Sequence, residues 1–551
     1  MSAQRGKVLG IVSITLALTA VLFLESKPVE GEAKGKGVIV RSYREDKHAG
    51  KNRPGWADAA ERRAKRHVMK NAKRFGNPDV DRELTLRTVE EDDLGQTHVR
   101  LDQVHNGVPV FGRQLIVQMD ATTELDIFGA FQSGATVDTT PSLTAEEAIQ
   151  FAKASVPYPG PFANEPEANL VILPAQDGTP IASLTYMVEL VVDDGTGAAA
   201  IYQVFIDAME GRTLWQYDRL ANGTGYSLYS GTVALSTARS VSGGRYVYTL
   251  QDLSRRTVTT DMQSQMGETL GFHFVTYNDV WGNGTLAHLQ SAAVDAHFGA
   301  ARAWDYFYQR HGRLGLDGTG SWVTSRVHYG SRFGNAFSNG AVVTFGDGDG
   351  YNSNPWVSVD LVGHEIGHSV IAYTIPSVSR SGLLYAGESG AANESFADIF
   401  GTAVEFYTGI RPDYAIGEDI YTPFLGGDAM RYMFNPPADG RSVDHYSRRK
   451  YPVCVPSEAN DKCGVHSNSG IQNKVFYLLA AGGTHYGMTV PSITRINAER
   501  IFYRALFKLH EQASFRDVRY ATQAAAIDLF GASSGQYVAT VRAWDAVGVP
   551  R

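Results

Sequence analysis

Apolar and polar positions change their period along the chain, and the changes divide it. An apolar run covers residues 8–24 behind Arg5 and Lys7. A cationic start ahead of such a run predicts an export signal, cleaved or kept as an anchor. Residues 31–77 are rich in Lys, Arg and Gly and lose periodicity, which predicts a flexible or partly helical lead-in. Strand-type patterning takes over from 80 to 132. Runs at 98–101 and 114–119 there bracket Asn106-Gly107, a strong hairpin signal. Thr144-Ala145-Glu146-Glu147 reads as a capping box opening a helix to about Ser155. Strand-like runs follow at 184–192 and 200–206, around the turn Asp194-Gly195, and Asn222-Gly223-Thr224 reads as an exposed, turn-rich junction.

Beyond that junction strands dominate to about Gly350, with one helix near 292–308. The pattern then turns helical, through 362–370, 388–401, 474–481, 493–510, 515–530 and 533–547. A β-rich lobe followed by an α-helical lobe makes an α+β chain, with a cleft expected between the lobes. At 551 residues and 43% hydrophobic, the chain can bury more than one core and should hold several domains. A net charge of −8, with no basic aromatic motif, argues against nucleic-acid binding. No stretch other than the N-terminal run could span a membrane.

Chemistry concentrates at His364-Glu365-Ile366-Gly367-His368. On a helix, His364 and His368 share one face and can hold one Zn²⁺, while Glu365 beside them can take a proton from the attacking water. A two-His site needs a third protein ligand. Where some enzymes add a Gly and a third His, this chain has Ile371 and Thr374. Glu394, on a second apolar helical run, is the alternative, and Asp398 one turn on could accept a ring N–H from a ligand His. Cys454 and Cys463 are the only cysteines, which in an exported protein reads as a disulfide stapling the Gly/Ser/Asn-rich loop expected to carry His466.

Several motifs in order resemble the thermolysin family of zinc metallopeptidases. They include Asn335-Ala336-Phe337, Phe345-Gly346-Asp347-Gly348-Asp349-Gly350, the zinc helix, Glu388-Ser389-Gly390 and Ile416-Gly417-Glu418-Asp419. Gly464-Val465-His466-Ser467-Asn468-Ser469-Gly470 and Gly482-Gly483-Thr484-His485-Tyr486-Gly487 continue the match. The resemblance implies a two-lobed peptidase in which Tyr385 and His466 are oxyanion donors and Asp461 orients His466. It implies that Asn335, the Ala336 carbonyl and Arg431 hold the substrate backbone. Leu361, Ile416 and Met430 would line the pocket for the residue after the scissile bond, favouring Leu, Phe, Ile or Val. Calcium is implied at Asp360, Glu405, Asp413 and Glu418, with Ala415 standing where the family has an acid, and again at Tyr421, Thr422 and Asp428. The loop 375–381 is longer than the family's, which bears on the register of Tyr385.

The segments preceding the peptidase resemble the fungalysin/thermolysin and PepSY propeptide modules. The expected division is 1–26 signal or anchor, 27–79 basic lead-in, 80–132 and 139–219 the two propeptide modules, 222–362 the β-rich lobe and 363–551 the helical lobe. No further module is expected after the peptidase. The expected product is a secreted, monomeric zinc endopeptidase with one zinc and at least one calcium. It would act on proteins and peptides, touch no membrane once mature, and be made as a self-processing precursor whose propeptide inhibits and aids folding. A silent zinc- and calcium-binding protein on the same fold is the alternative, and the presence of Glu365, Tyr385 and His466 argues against it. An aminopeptidase would need a group capturing a free N-terminus, and the sequence identifies none.

Overall fold

A computed structural model describes residues 55–551 except 92–96, 120–123, 132–136, 157, 159, 175–181, 193–199, 219–221, 243–244, 341 and 380. The segments expected to be an export signal and most of a basic lead-in, and the expected Asp194-Gly195 turn, lie outside the described residues. Within the lead-in, Trp56–Lys70 is a helix that buries Ala60, Ala64 and Val68 at i, i+4, i+8. A single helical turn, Val80–Glu83, precedes the first strand, where alternation alone had suggested strand from residue 80.

Eight strands form one sheet across residues 84–218: β1 Leu84–Glu91, β2 Thr97–His105, β3 Val108–Met119, β4 Glu124–Ala130, β5 Ala168–Pro174, β6 Ala182–Val192, β7 Ala200–Asp207 and β8 Thr213–Asp218. Their order is β1-β2-β3-β5-β6-β7-β8, with β4 also pairing β3. Asn106 and Gly107, at φ 49° and 83°, turn β2 into β3 as their types require. The helix Ala145–Ser155 carries the capping box at Thr144 and Glu147 and packs on β5–β7. Period 2 assigns the faces of β3. Leu115, Val117 and Met119 join a core with the Trp56–Lys70 helix, whereas Ile116, fully buried, joins the large core formed by residues 233–549. On the same side as Ile116, Arg100 of β2 donates to Tyr308 Oη at 2.9 Å and lies 5.0 Å over its ring. Arg239 likewise donates to Tyr202 Oη of β7 at 2.9 Å.

Asn222-Gly223-Thr224 is not an exposed turn. It opens β9, Asn222–Tyr226, paired with β10, Thr232–Ser236, and Gly223 is buried. The reason is steric: a Cβ at Gly223 would meet Asp279 Oδ1 at 2.5 Å, so glycine marks close packing here, not a bend. The β-rich lobe continues as a six-stranded sheet whose last strand, Ala336–Ser338, pairs among the described residues only with Val342–Phe345, which leaves its other edge open there. The helix Leu289–His311 covers this lobe. The helical lobe comprises Gly387–Thr408, Asp461–Ala481, Arg495–Leu506, Phe515–Phe530 and Gly535–Ala546. Between the lobes runs one continuous helix, Val359–Thr374, across the boundary placed at 362/363. It packs against Gly387–Thr408 so closely that Gly363 and Gly367 lie where a Cβ would come 3.0 Å from Gly401 Cα and Ala397 Cα respectively. Glycine at both positions lets the two helix backbones approach, and this brings the side chains of the first helix onto those of the second.

Candidate active site

His364 and His368 lie one turn apart on the Val359–Thr374 helix and face Glu394 of the neighbouring helix. One ligand atom from each lies within 4.8 Å of the others. The Nε2 atoms of His364 and His368 stand 3.6 and 3.5 Å from the Glu394 carboxylate. Each ring is fixed through its other nitrogen. His364 Nδ1–H donates to Asp398 Oδ1 at 2.8 Å, and His368 Nδ1–H to Asn393 Oδ1 at 2.8 Å. With both Nδ1 atoms protonated, the two Nε2 lone pairs face each other at 3.1 Å, which a shared cation makes favourable. Glu394 Oε2 is buried without a hydrogen-bond donor. The donor set therefore fits zinc: two neutral imidazoles, one carboxylate and two orienting partners.

Asp398 is fully buried and takes more than His364. Arg431 Nε and Nη2 donate to it at 2.8 and 2.6 Å, and Asn473 Nδ2 at 2.8 Å. Burial alone would raise its pKa, but Arg431 and His364 hold it well below the usual carboxylate range. Burial likewise opposes ionisation of Glu394, yet His466, His368 and His364 hold it down to about 2. Glu365 differs. It is buried, its Oε2 has no partner, and burial pushes it up to about 7. A carboxylate beside the donor set but bonded to none of it remains available to move a proton.

Tyr385 Oη and His466 Nε2 meet at the same place, 3.3 Å apart, and Tyr385 also donates to Glu394. The long loop 375–381 therefore leaves Tyr385 facing Glu394. His466 is not in a loop: it stands in the first regular turn of the Asp461–Ala481 helix, and so that helix begins well before residue 474. The entry is unusual. Asp461, Lys462, Cys463 and Gly464 all have positive φ, at 53°, 48°, 72° and 77°. Each non-glycine residue there costs about 1–2 kcal/mol. The turn brings Asp461 back over the helix start, where its carboxylate accepts from His466 Nδ1 at 2.6 Å and from His466 N at 3.0 Å. The Glu394 carboxylate, helped by Asp461, raises His466 to about 9 against the effect of burial. Cys454 and Cys463 form a disulfide.

The residues expected to meet a substrate separate. Asn335 is exposed and precedes the edge strand, and Ala336 lies on it. Ser338 and Ser369 hydroxyls, 2.6 Å apart, tie that strand to the helix one residue past His368. Arg431 is buried on Asp398. Met430 N donates to Ile416 O at 2.9 Å, so these two adjoin. Leu361 and Ile416, however, are core residues at 2% and 0% exposure, because both face inward between packed elements, and only Met430 is half-buried.

A second acidic cluster joins the far ends of the same two helices to the segment that follows Thr408. Glu405, Asp413 and Glu418 bring ligand atoms within 4.8 Å of one another. Asp360 joins from the first turn of the His364 helix, accepting from Gly417 N at 2.6 Å. Burial and then Asp360 push Glu405 up to about 10 and Glu418 to about 8, and Glu418 Oε2 is buried without a donor. Such a cluster fits a hard divalent cation. Thr422 donates to Asp428, whose Oδ1 is buried and unpartnered, while Tyr421 makes a bridge to Ser353. Sequence reasoning missed Asn393, Asn473 and the Ser338–Ser369 pair. Only the adjacency of Asn393 to Glu394 hinted at the first.

Residues 222–372 match the thermolysin metallopeptidase catalytic domain, 381–549 the thermolysin metallopeptidase alpha-helical domain, and 82–122 the fungalysin/thermolysin propeptide motif. A thermolysin of Alicyclobacillus acidocaldarius is 36% identical over 87% of this chain and 88% of its own length. A bacillolysin of Brevibacillus brevis is 38% identical over 82% of each. Among solved structures, the precursor of protealysin from Serratia proteamaculans is 28% identical, with a TM-score of 0.43, covering 57% of this chain and 90% of that one.

Proposed function

From the premise that this chain belongs to the thermolysin family, and is a zinc metalloendopeptidase with a propeptide, we propose that His364, His368 and Glu394 hold the catalytic zinc and that Glu365 is the general base. The observation that carries this is the convergence of two lone pairs and a carboxylate beside a buried, unpartnered Glu365 Oε2. Zinc bound there supplies a Lewis acid that polarises the scissile carbonyl and makes water acidic. Glu365 takes the proton of the attacking water and passes it to the leaving amine. Tyr385 Oη and His466 Nε2–H donate to the oxyanion as charge develops on it, and Asp461 keeps His466 aimed and charged. Asp398 and Asn393 fix the ligand rings, and Arg431 and Asn473 hold Asp398 in turn.

The open edge of Ala336–Ser338 is suited to pairing with an extended peptide, with Asn335 and the Ala336 carbonyl as partners for its backbone. Arg431, spent largely on Asp398, reaches substrate only with its remaining N–H groups. An apolar side chain after the scissile bond meets Met430 first, over a floor of Leu361 and Ile416. Desolvating it contributes roughly 1.5–3 kcal/mol, enough to favour Leu, Phe, Ile or Val there. Asp360, Glu405, Asp413 and Glu418 hold calcium, and Tyr421, Thr422 and Asp428 form a further calcium loop. The propeptide modules, with Ile116 and Arg100 seated against the peptidase, inhibit it until the enzyme cuts itself free. The cationic apolar start at 5–24 and the disulfide support secretion. Among the described residues no helix is long and apolar enough to cross a membrane.

Casein and a single amino-acid anilide, digested in parallel, test the reading. Casein cleavage abolished by 1,10-phenanthroline and restored by Zn²⁺, with the anilide untouched, is the expected result. An inert protein that binds zinc would establish the silent alternative, and cleavage of the anilide alone would indicate an aminopeptidase.

A further inference from the structure

The segment 451–459, just ahead of the left-handed turn, is almost bare of packing. Every residue in it is exposed except Cys454, with Val453 at 95% and Val455 at 83%. At the other end of the disulfide, Cys463 is buried and sits inside the turn itself. The turn is otherwise held by small polar contacts. Lys462 N donates to Ser457 O at 2.8 Å, Asn460 Oδ1 accepts from Cys463 N at 3.0 Å, and Asn460 Nδ2 donates to Val455 O at 2.9 Å. Two of these reach back into the exposed segment, in which only Cys454 is not exposed, and from the helix side the turn receives one weak bond, from Asn468 Nδ2 to Cys463 O at 3.4 Å. Backbone in the left-handed region persists only where its surroundings over-determine it. The turn also decides where the Asp461 carboxylate lies, and that carboxylate holds both the ring and the backbone N of His466.

We infer that the Cys454–Cys463 disulfide is a positioning device for catalysis: it holds the left-handed turn from which Asp461 aims His466 at the reacting carbonyl. This rests on the proposed role of His466. The two cysteines touch no substrate and act only through Asp461. Breaking the bond frees the exposed segment, lets the turn relax, and leaves His466 to sample other directions. The loss falls on kcat, since the zinc ligands, the edge strand and Met430 stand on other elements.

The test compares four forms of the zinc- and calcium-loaded enzyme: wild type, C454S/C463S, H466A and the triple variant. The double variant is expected to keep one zinc per chain and a KM within threefold of wild type, with kcat ten- to a hundredfold lower. In the H466A background the same two substitutions should change kcat less than twofold. Should the double variant fail to mature, the wild-type mature enzyme is treated with a water-soluble phosphine. The phosphine gains the oxygen of one water, the disulfide takes two electrons and two protons to become two thiols, and kcat falls by the same factor. Reoxidation by oxidised glutathione restores it. Wild-type kcat without the disulfide, or an equal fractional loss in the H466A background, overturns the inference. An H466A enzyme with undiminished kcat overturns instead the role assigned to His466.

Discussion

The helices Val359–Thr374 and Gly387–Thr408 carry one cluster of potential metal ligands and, with the segment after Thr408, a second, and the clusters have opposite electrostatics. Around Glu394, cationic and donor groups hold Glu394 and Asp398 ionised despite full burial, and only the base Glu365 is left unpartnered and raised. Around Glu405 carboxylates face carboxylates: burial pushes Asp360 upward, and burial and then Asp360 push Glu405 and Glu418 upward. The first arrangement is built to stay assembled and present lone pairs to a metal. The second needs a cation to ionise at all. One cluster should therefore govern turnover and the other lifetime.

The largest effect expected is at Glu365. Glu365→Gln should lower kcat by on the order of 10²–10⁴ or more while zinc content is unchanged. If maturation is self-cleavage, this variant also accumulates as an uncut precursor. Gel analysis and N-terminal sequencing of culture supernatant decide that, and a variant matured to the wild-type N-terminus would show that another protease makes the cut. Next come the donors. Tyr385→Phe or His466→Ala should each cost about 10²–10³ in kcat with little change in KM.

Much of the first cluster is legible in the sequence, because its spacing is short-range: i, i+4 on one helix for His364 and His368, and i, i+4 on another for Glu394 and Asp398. Asn393, Asn473 and the serine pair were not legible, since Asn and Ser occur everywhere and only the packing of helices through Gly363 and Gly367 brings these to the rings. The left-handed turn at 461–464 was hidden for a related reason. Gly464 marks one such residue, but Asp461, Lys462 and Cys463 carry no sign of positive φ. Gly223 misled in the opposite direction, since a glycine needed for close packing reads the same as one needed for a bend.

The acidic cluster gives a smaller effect, on stability. Glu405 and Glu418 have folded pKa values raised to about 10 and about 8, from an ordinary 4.5. Without a cation, folding must keep them protonated. Their contribution is then fully present below pH 4.5 and is lost as the pH rises through the folded values. In Glu365→Gln protein, which cannot digest itself, chelated samples should melt at progressively lower temperature from pH 5 to pH 8, and added Ca²⁺ should flatten that slope. A slope unaltered by Ca²⁺ would make the cluster a plain acidic patch. Smallest is the subsite: peptide-library profiling should show Leu, Phe, Ile or Val after the cut, and Met430→Ala should broaden that preference by a few-fold. A preference for Lys or Asp there would remove the apolar pocket.

The division of labour between the clusters is tested most directly by metal analysis of purified Glu394→Gln and Glu405→Gln proteins beside Glu365→Gln. Glu365→Gln is expected to hold one zinc per chain and to be inactive. Glu394→Gln is expected to lose both zinc and activity, and Glu405→Gln to keep zinc and initial rate but lose calcium and thermal lifetime. Zinc retained at full occupancy by Glu394→Gln, or lost from Glu405→Gln, would contradict the account.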